Sequence, residues 1–175
     1  TLVASLALVG ATAIWGSTFL VTKQSLPEMS PASFLVWRFG LAAIALLVAR
    51  PRQLVALTRA ELHRGLLLGV FLGSGFLLQT IGLLDTDAGV SGFLTGAAVV
   101  LTPLVAARWF KERVGRAGWI AVGVSTAGIA LLMLRSATVT PGAVLTVAGA
   151  ACFALHISAL SRWATPVNAI GLTTS

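Results

Sequence analysis

Six apolar stretches follow one another along the chain, each about long enough to cross a bilayer as a helix, separated only by short polar breaks. They are Leu2–Thr22, Pro31–Ala49, Gly65–Leu84, Ala88–Ala107, Ala117–Leu134 and Ala143–Ser161. Little chain is left over, so the pattern predicts an all-α, polytopic transmembrane helix bundle. The sequence is 57% hydrophobic and 10% charged, with a mean hydropathy of +0.97. A soluble domain carries roughly a quarter charged residues, and a water-soluble fold is excluded. The net charge of +7 does not point to nucleic acid, because the cations sit in the breaks rather than on one basic face. The partner they imply is the lipid bilayer.

Both ends read as cut. The chain starts at Thr1 without a methionine, and Ser175 falls where a further apolar segment opens. Leu2–Thr22 lacks the basic flank of a signal peptide and is too long for its apolar region, so it reads as the first span. Cys152 is the single cysteine and lies inside an apolar stretch, which leaves no disulfide framework.

The charges in the breaks alternate. Arg50, Arg52, Arg59 and Arg64 face Glu61 after span two; Arg108, Lys111, Arg113 and Arg116 face Glu112 after span four. The break between spans three and four instead holds Asp85 and Asp87, with no cation. Lysine and arginine are retained on the cytoplasmic side, so the two basic breaks and the N-terminus are expected in the cytoplasm. Arg135, alone in its break, dissents, but one charge does not outweigh two clusters. A repeat with an odd number of spans forces the next repeat to insert upside down, as in many secondary transporters. A weak internal echo fits this, with Gly10 through Lys23 laid on Gly149 through Arg162 and Pro27 and Pro166 following.

Helices in lipid associate through small residues. Gly65, Gly69 and Gly73 predict a packing face on span three, and Gly92 and Gly96 one on span four. Pro103 deprives the Val99 carbonyl of its helical partner, a group that Thr102 or a neighbouring helix would satisfy. The kink expected there is read either as structural or as a flexing point.

Polar side chains at membrane depth are costly and mark candidate sites. Arg38 lies about 10 Å into span two and is read as a cation facing a cavity or paired with Asp85, Asp87 or Glu28, the alternative being a structural ion pair or a snorkelling arginine. Ser91, Thr95 and Thr102 form a hydroxyl stripe on span four. Gln79 shares a face with Gly75 and Gly82, while Thr12, Trp15, Phe19 and Thr22 share one on span one. Apolar walls with a few polar anchors suit a small amphipathic solute. The alternative is that the hydroxyls bond back to their own helices and Trp15 fills a gap. His156, on the face of Cys152, reads as a proton relay or as a neutral histidine bonded across helices. Catalysis has little support, because all five carboxylates lie in breaks and no nucleophile elbow, phosphate loop or metal-ligand cluster appears. No cofactor or metal is expected.

Trp15-Gly16-Ser17-Thr18-Phe19, then Ser30-Pro31-Ala32 leading into Trp37-Arg38-Phe39, resemble the opening of an EamA-type repeat of the drug/metabolite transporter superfamily. So does the join of spans four and five, with Leu101-Thr102-Pro103-Leu104, Lys111-Glu112-Arg113, Gly118-Trp119 and Gly123 through Gly128. The resemblance implies a five-helix repeat over residues 1–134 and the truncated start of an inverted second repeat over 143–175. It further implies ten helices in all, both termini in the cytoplasm, and export of small metabolites such as amino acids or drug-like solutes by alternating access. By the same resemblance the family's recurrent arginine falls on Arg38, its span-four proline on Pro103 and its loop glutamate on Glu112. The pathway would draw on Trp15, Phe19, Arg38, Gln79, Ser91, Thr95, Thr102 and His156, with Gly92, Gly96 and Pro103 shaping or gating it. The expected partners are lipid, a small-molecule solute and a second copy in a homodimer. A non-transporting membrane scaffold or assembly subunit is the rival reading. Reporter tags beside Arg59 and Asp85 are expected on opposite sides of the membrane; the same compartment for both would overturn the topology.

Overall fold

The computed structural model describes residues 2–49, 58–111, 114–135 and 140–163, with 132–135 described by backbone alone. Arg50, Arg52, Glu112, Arg113, Pro166 and the opening of a further span after residue 163 lie outside the described residues. Seven helices account for nearly everything else: α1 (Leu2–Ser25), α2 (Pro31–Ala49), α3 (Arg59–Gly82), α4 (Ala88–Thr95), α5 (Ala97–Trp109), α6 (Arg116–Arg135) and α7 (Pro141–Trp163). Among the described residues five spans are long and apolar enough to cross a membrane, α4 and α5 counting together as one; α6 contributes a shorter apolar helix over Arg116–Leu131. The all-α, polytopic bundle is what the apolar pattern required.

Local chemistry sets several ends. α3 starts before the apolar stretch does, at a capping box: Glu61 N–H donates to Thr58 Oγ1 (3.3 Å), and Thr58 N–H donates back to Glu61 Oε2 (2.9 Å). Ser30 Oγ accepts from Ser33 N–H at 3.2 Å, and Pro31 follows at the first helical position, where its missing N–H costs nothing. Thr140 and Pro141 repeat that arrangement at α7, with Ala143 N–H donating to Thr140 Oγ1 at 3.1 Å.

α7 is the centre of the bundle, lying antiparallel against α3. Gly75 opposes Gly149 and Gly82 opposes Gly142, while His156 Nδ1 meets the Leu68 carbonyl oxygen at 3.0 Å. These pairs advance in seven-residue steps on both helices. A Cβ added at Gly149 would lie 2.7 Å from the Gly75 carbonyl oxygen, and one at Gly82 would lie 2.6 Å from that of Gly142. Two backbones in van der Waals contact leave no room for any side chain but hydrogen. The expected face of Gly65, Gly69 and Gly73 is only partly realised. Gly65 is buried, yet a Cβ at Gly69 or Gly73 would meet nothing within 4 Å. The four-residue step follows the helix surface around, whereas the seven-residue step stays on one seam.

Around that seam, Leu72 and Phe76 of α3, Ala97, Ala98 and Leu101 of α5, Ile129 of α6, and Ala150 and Phe153 of α7 pack as one apolar cluster. A second cluster towards the far end joins Leu68, Phe110, Ala159, Leu160 and Trp163. α1 and α2 are peripheral, burying only Phe19 and Thr22, and Leu35. Their remaining apolar surface suits contact with lipid rather than water.

Span four departs from the expected continuous helix. It breaks at Gly96, where Gly96 N–H bonds Phe93 O (2.9 Å) and Val99 N–H bonds Gly96 O (3.0 Å), a tightened turn of i to i−3 type. α5 runs on through Pro103, so the interruption lies two turns before the proline. Thr102 Oγ1 donates to Ala98 O at 2.7 Å, so the hydroxyl serves that carbonyl and not the one of Val99.

The α3–α7 seam makes a direct prediction. Gly149→Leu in the full-length protein should lower the thermal midpoint in detergent by several degrees, through about 1–3 kcal/mol of overpacking or more. Gly69→Leu should leave it unchanged. Equal effects would deny the seam its role.

Candidate functional site

A chain of hydrogen-bonded polar side chains lies where α3, α4 and α7 meet. Gln79 Nε2 donates to Thr95 Oγ1 at 2.8 Å, and Thr95 Oγ1 donates to the Ser91 carbonyl at 2.9 Å. Ser91 Oγ meets Thr146 Oγ1 at 3.4 Å, and Thr146 Oγ1 donates to Gly142 O at 2.9 Å. All four side chains are at most 4% exposed. Every link is neutral, and the groups stand on three different helices; Gln79–Thr95 joins α3 to α4, and Ser91–Thr146 is the link that a displacement of α7 would break.

This chain is assembled by the same spacing that builds the seam. Gln79 lies one turn from Gly75 and one from Gly82, while Thr146 lies between Gly142 and Gly149. The close backbone approach is what brings short hydroxyls within reach across the interface. Thr146 was not singled out by the sequence reading. Its signal was legible: it sits on the Gly142–Gly149–Phe153 face, as Gln79 sits on that of Gly75 and Gly82.

The chain continues to one end of the bundle through the turn between α3 and α4. There Lys23 Nζ donates to the carbonyls of Leu83 (2.5 Å), Thr86 (3.1 Å) and Leu84 (3.4 Å). A cation thus meets the negative end of α3. On the other side of the same turn, Gly142 N–H donates to Asp85 Oδ2 at 3.3 Å, and Thr86 Oγ1 meets Thr140 Oγ1 at 3.3 Å. An anion therefore meets the positive end of α7. Residues 83–86 thereby tie α1 to α7 through opposite charges. The sequence offers Asp85 as a partner for Arg38 and Lys23 as the end of an internal echo; that both instead meet backbone groups is something no charge pattern reveals.

Arg38 does not find the carboxylate partner expected for it. Among the described residues its contact is the ring of Phe76, with the guanidinium carbon 4.6 Å from the centroid. Phe76 in turn packs edge-on against Phe39 (5.3 Å) and Phe153 (5.0 Å). Asp85 is occupied at the α7 N-terminus instead. The aromatic face offsets part of the cost of a cation within an apolar span.

The remaining expected residues are dispersed. Phe19 is buried, and a Cβ at Gly92 would rest 3.7 Å from its ring. Trp15 is 46% exposed, with its ring 6.3 Å from that of Phe19. Thr12 and Thr22 donate back to Leu8 O and Thr18 O, both at 2.7 Å, which is the structural alternative for hydroxyls on that face. Thr102 stands apart from the polar chain, and Ser158 Oγ reaches its carbonyl at 3.3 Å. His156 is part-buried against Leu68, docking α7 at the end of the seam away from Lys23. Gly92 and Gly96 line a cavity of about 360 Å³ with Phe93, Val99, Val124, Ser125, Gly128 and Ile129, between the broken span and α6.

Hydrogen bonds between helices in lipid are worth about 0.5–2 kcal/mol. Gln79→Leu should therefore lower the thermal midpoint of the full-length protein only slightly. A collapse of folding would assign Gln79 to architecture.

Residues 2–134 match the EamA-like transporter family. An uncharacterized transporter from Archaeoglobus fulgidus is 35% identical over 111 residues, covering 63% of this chain and 34% of that protein. The matched region thus spans about a third of the relative's length. No solved structure matches the chain.

Proposed function

The chain belongs to the EamA-like transporter family, a membrane-embedded, multi-pass group within the drug/metabolite superfamily, and on that premise we propose that it acts as a secondary transporter of small metabolites. It works by alternating access in the cytoplasmic membrane, as an exporter, with its N-terminus inside. Residues 1–134 form the first five-helix repeat, and α7 opens a second, inverted one. Lipid and solute are its partners, and a homodimer is its proposed assembly.

The observation that carries this reading is the buried polar chain Gln79–Thr95–Ser91–Thr146 beside the interrupted span at Gly96. Gln79, Ser91 and Thr146 lie within about two turns of the ends of their helices, and buried polar groups beside a broken helix are a feature of transporter solute sites. Neutral hydroxyls and an amide exchange partners at little cost, which suits a site that must bind and then release. Phe19, Trp15, Arg38, Thr102 and His156 extend the pathway along neighbouring helices. Gly92, Gly96 and Pro103 let span four bend as it opens.

The test is efflux of a metabolite panel from vesicles containing the full-length protein, with and without a proton gradient. Selective flux is expected, and Thr95→Val should reduce it about tenfold or more. Absence of flux for every solute would favour the scaffold reading.

A further inference from the structure

α1 and α7 are held in the bundle in different ways. The backbones of α7 and α3 are in contact at Gly75–Gly149 and Gly82–Gly142, so these two helices act as one unit. α1 packs against α4 instead and buries only Phe19 and Thr22. With so few buried contacts, α1 is the helix that moves at least cost.

Phe19, Thr22 and Lys23 share one face of α1, being three and four residues apart. Phe19 lies over Gly92 of α4, where a Cβ would already touch the ring at 3.7 Å. Gly92 stands about 60° around the helix from Thr95, a member of the buried polar chain. The ring therefore covers the flank of α4 next to that chain. One turn beyond Phe19, Lys23 Nζ donates to the carbonyls of Leu83, Thr86 and Leu84. Carbonyls left over at a helix end hold an ammonium both by its hydrogen bonds and by its charge. The same turn is fixed to α7 through Asp85 and Thr86. A lightly packed helix is thus fastened at its end to the rigid pair. Lys23 is half-buried, and a cavity of about 180 Å³ adjoins it, lined by Leu26, Pro27, Leu83 and Leu84. The ammonium has room to leave its carbonyls without displacing the backbone.

We propose that α1 is a door over the buried polar chain and that Lys23 is its latch. Release of the ammonium from the 83–86 carbonyls lets Phe19 lift off Gly92 and opens the chain to that side of the membrane. The inference rests on the transporter reading above and gives it a moving part.

The test places a thiol on the covered face of α1, as Thr22→Cys in the full-length protein freed of its other cysteines. An impermeant thiosulfonate is added to vesicles on the side of the 83–86 turn, and the labelling rate is read by mass spectrometry. Slow labelling is expected with Lys23 in place. Lys23→Met should raise the rate about tenfold, the scale of a partly buried charge lost from a helix end. Lys23→Arg, which keeps charged N–H donors, should return it close to the parent value. Asp85→Ala should leave it nearly unchanged, because the glycine seam holds α7 without that acid. Ala159→Cys, buried at the far end of α7, should stay unlabelled in every variant. A rate indifferent to Lys23→Met, a failure of arginine to restore it, or an equal effect of Asp85→Ala overturns the latch. So does labelling of Ala159→Cys that rises in step with Thr22→Cys, which marks general loosening. Labelling needs no solute, so opening governed by Lys23 without flux of any solute would uphold the latch and refute the transporter reading. Selective flux with a rate indifferent to Lys23→Met would do the reverse.

Discussion

The contact between the α3 and α7 backbones at Gly75–Gly149 and Gly82–Gly142 is the constraint on which the rest of the bundle depends. In lipid there is no water to drive helices together, so association relies on close packing and on polar groups meeting across the interface. Removing every Cβ along one seam allows both at once. Dispersion contacts accumulate along the backbones, and short side chains such as Thr146 and Ser91 come within reach of one another. The apolar cluster around Phe153 and Ala150 packs because the seam has already fixed where α7 lies.

That seam also determines what polar groups can do. Thr12 and Thr22 bond back to their own helix. Gln79 instead reaches across to Thr95, and Thr146, while bonding back to Gly142, also meets Ser91 across the interface. At the end of the seam, Lys23 and Asp85 answer opposite helix termini through one short turn. A movement of α7 relative to α1 must therefore act on residues 83–86. Arg38 stands outside this network, and among the described residues its contact is the Phe76 ring.

Pro103 is the conspicuous breaker in the sequence, yet the interruption falls at Gly96. A proline removes one donor and crowds the preceding turn, yet α5 runs on through Pro103. Glycine lacks a Cβ and lets the helix tighten where α4 and α5 change neighbours. The glycines of span three misled for a related reason. Four-residue spacing is conspicuous in a glycine-rich helix, but a long antiparallel contact selects positions seven apart.

From the amino-acid sequence alone came the all-α class, the approximate bounds of the apolar helices, and the family, since each depends on composition or on short ordered motifs. Apolar length is a property of one segment at a time, so it is readable without knowing any neighbour. Which glycines touch, which hydroxyls join Gln79, and that Arg38 meets a ring rather than an acid are properties of pairs on different helices. Helix order and rotation decide them, and a periodicity of 3.6 residues gives each helix several plausible faces without saying which one its neighbour will take.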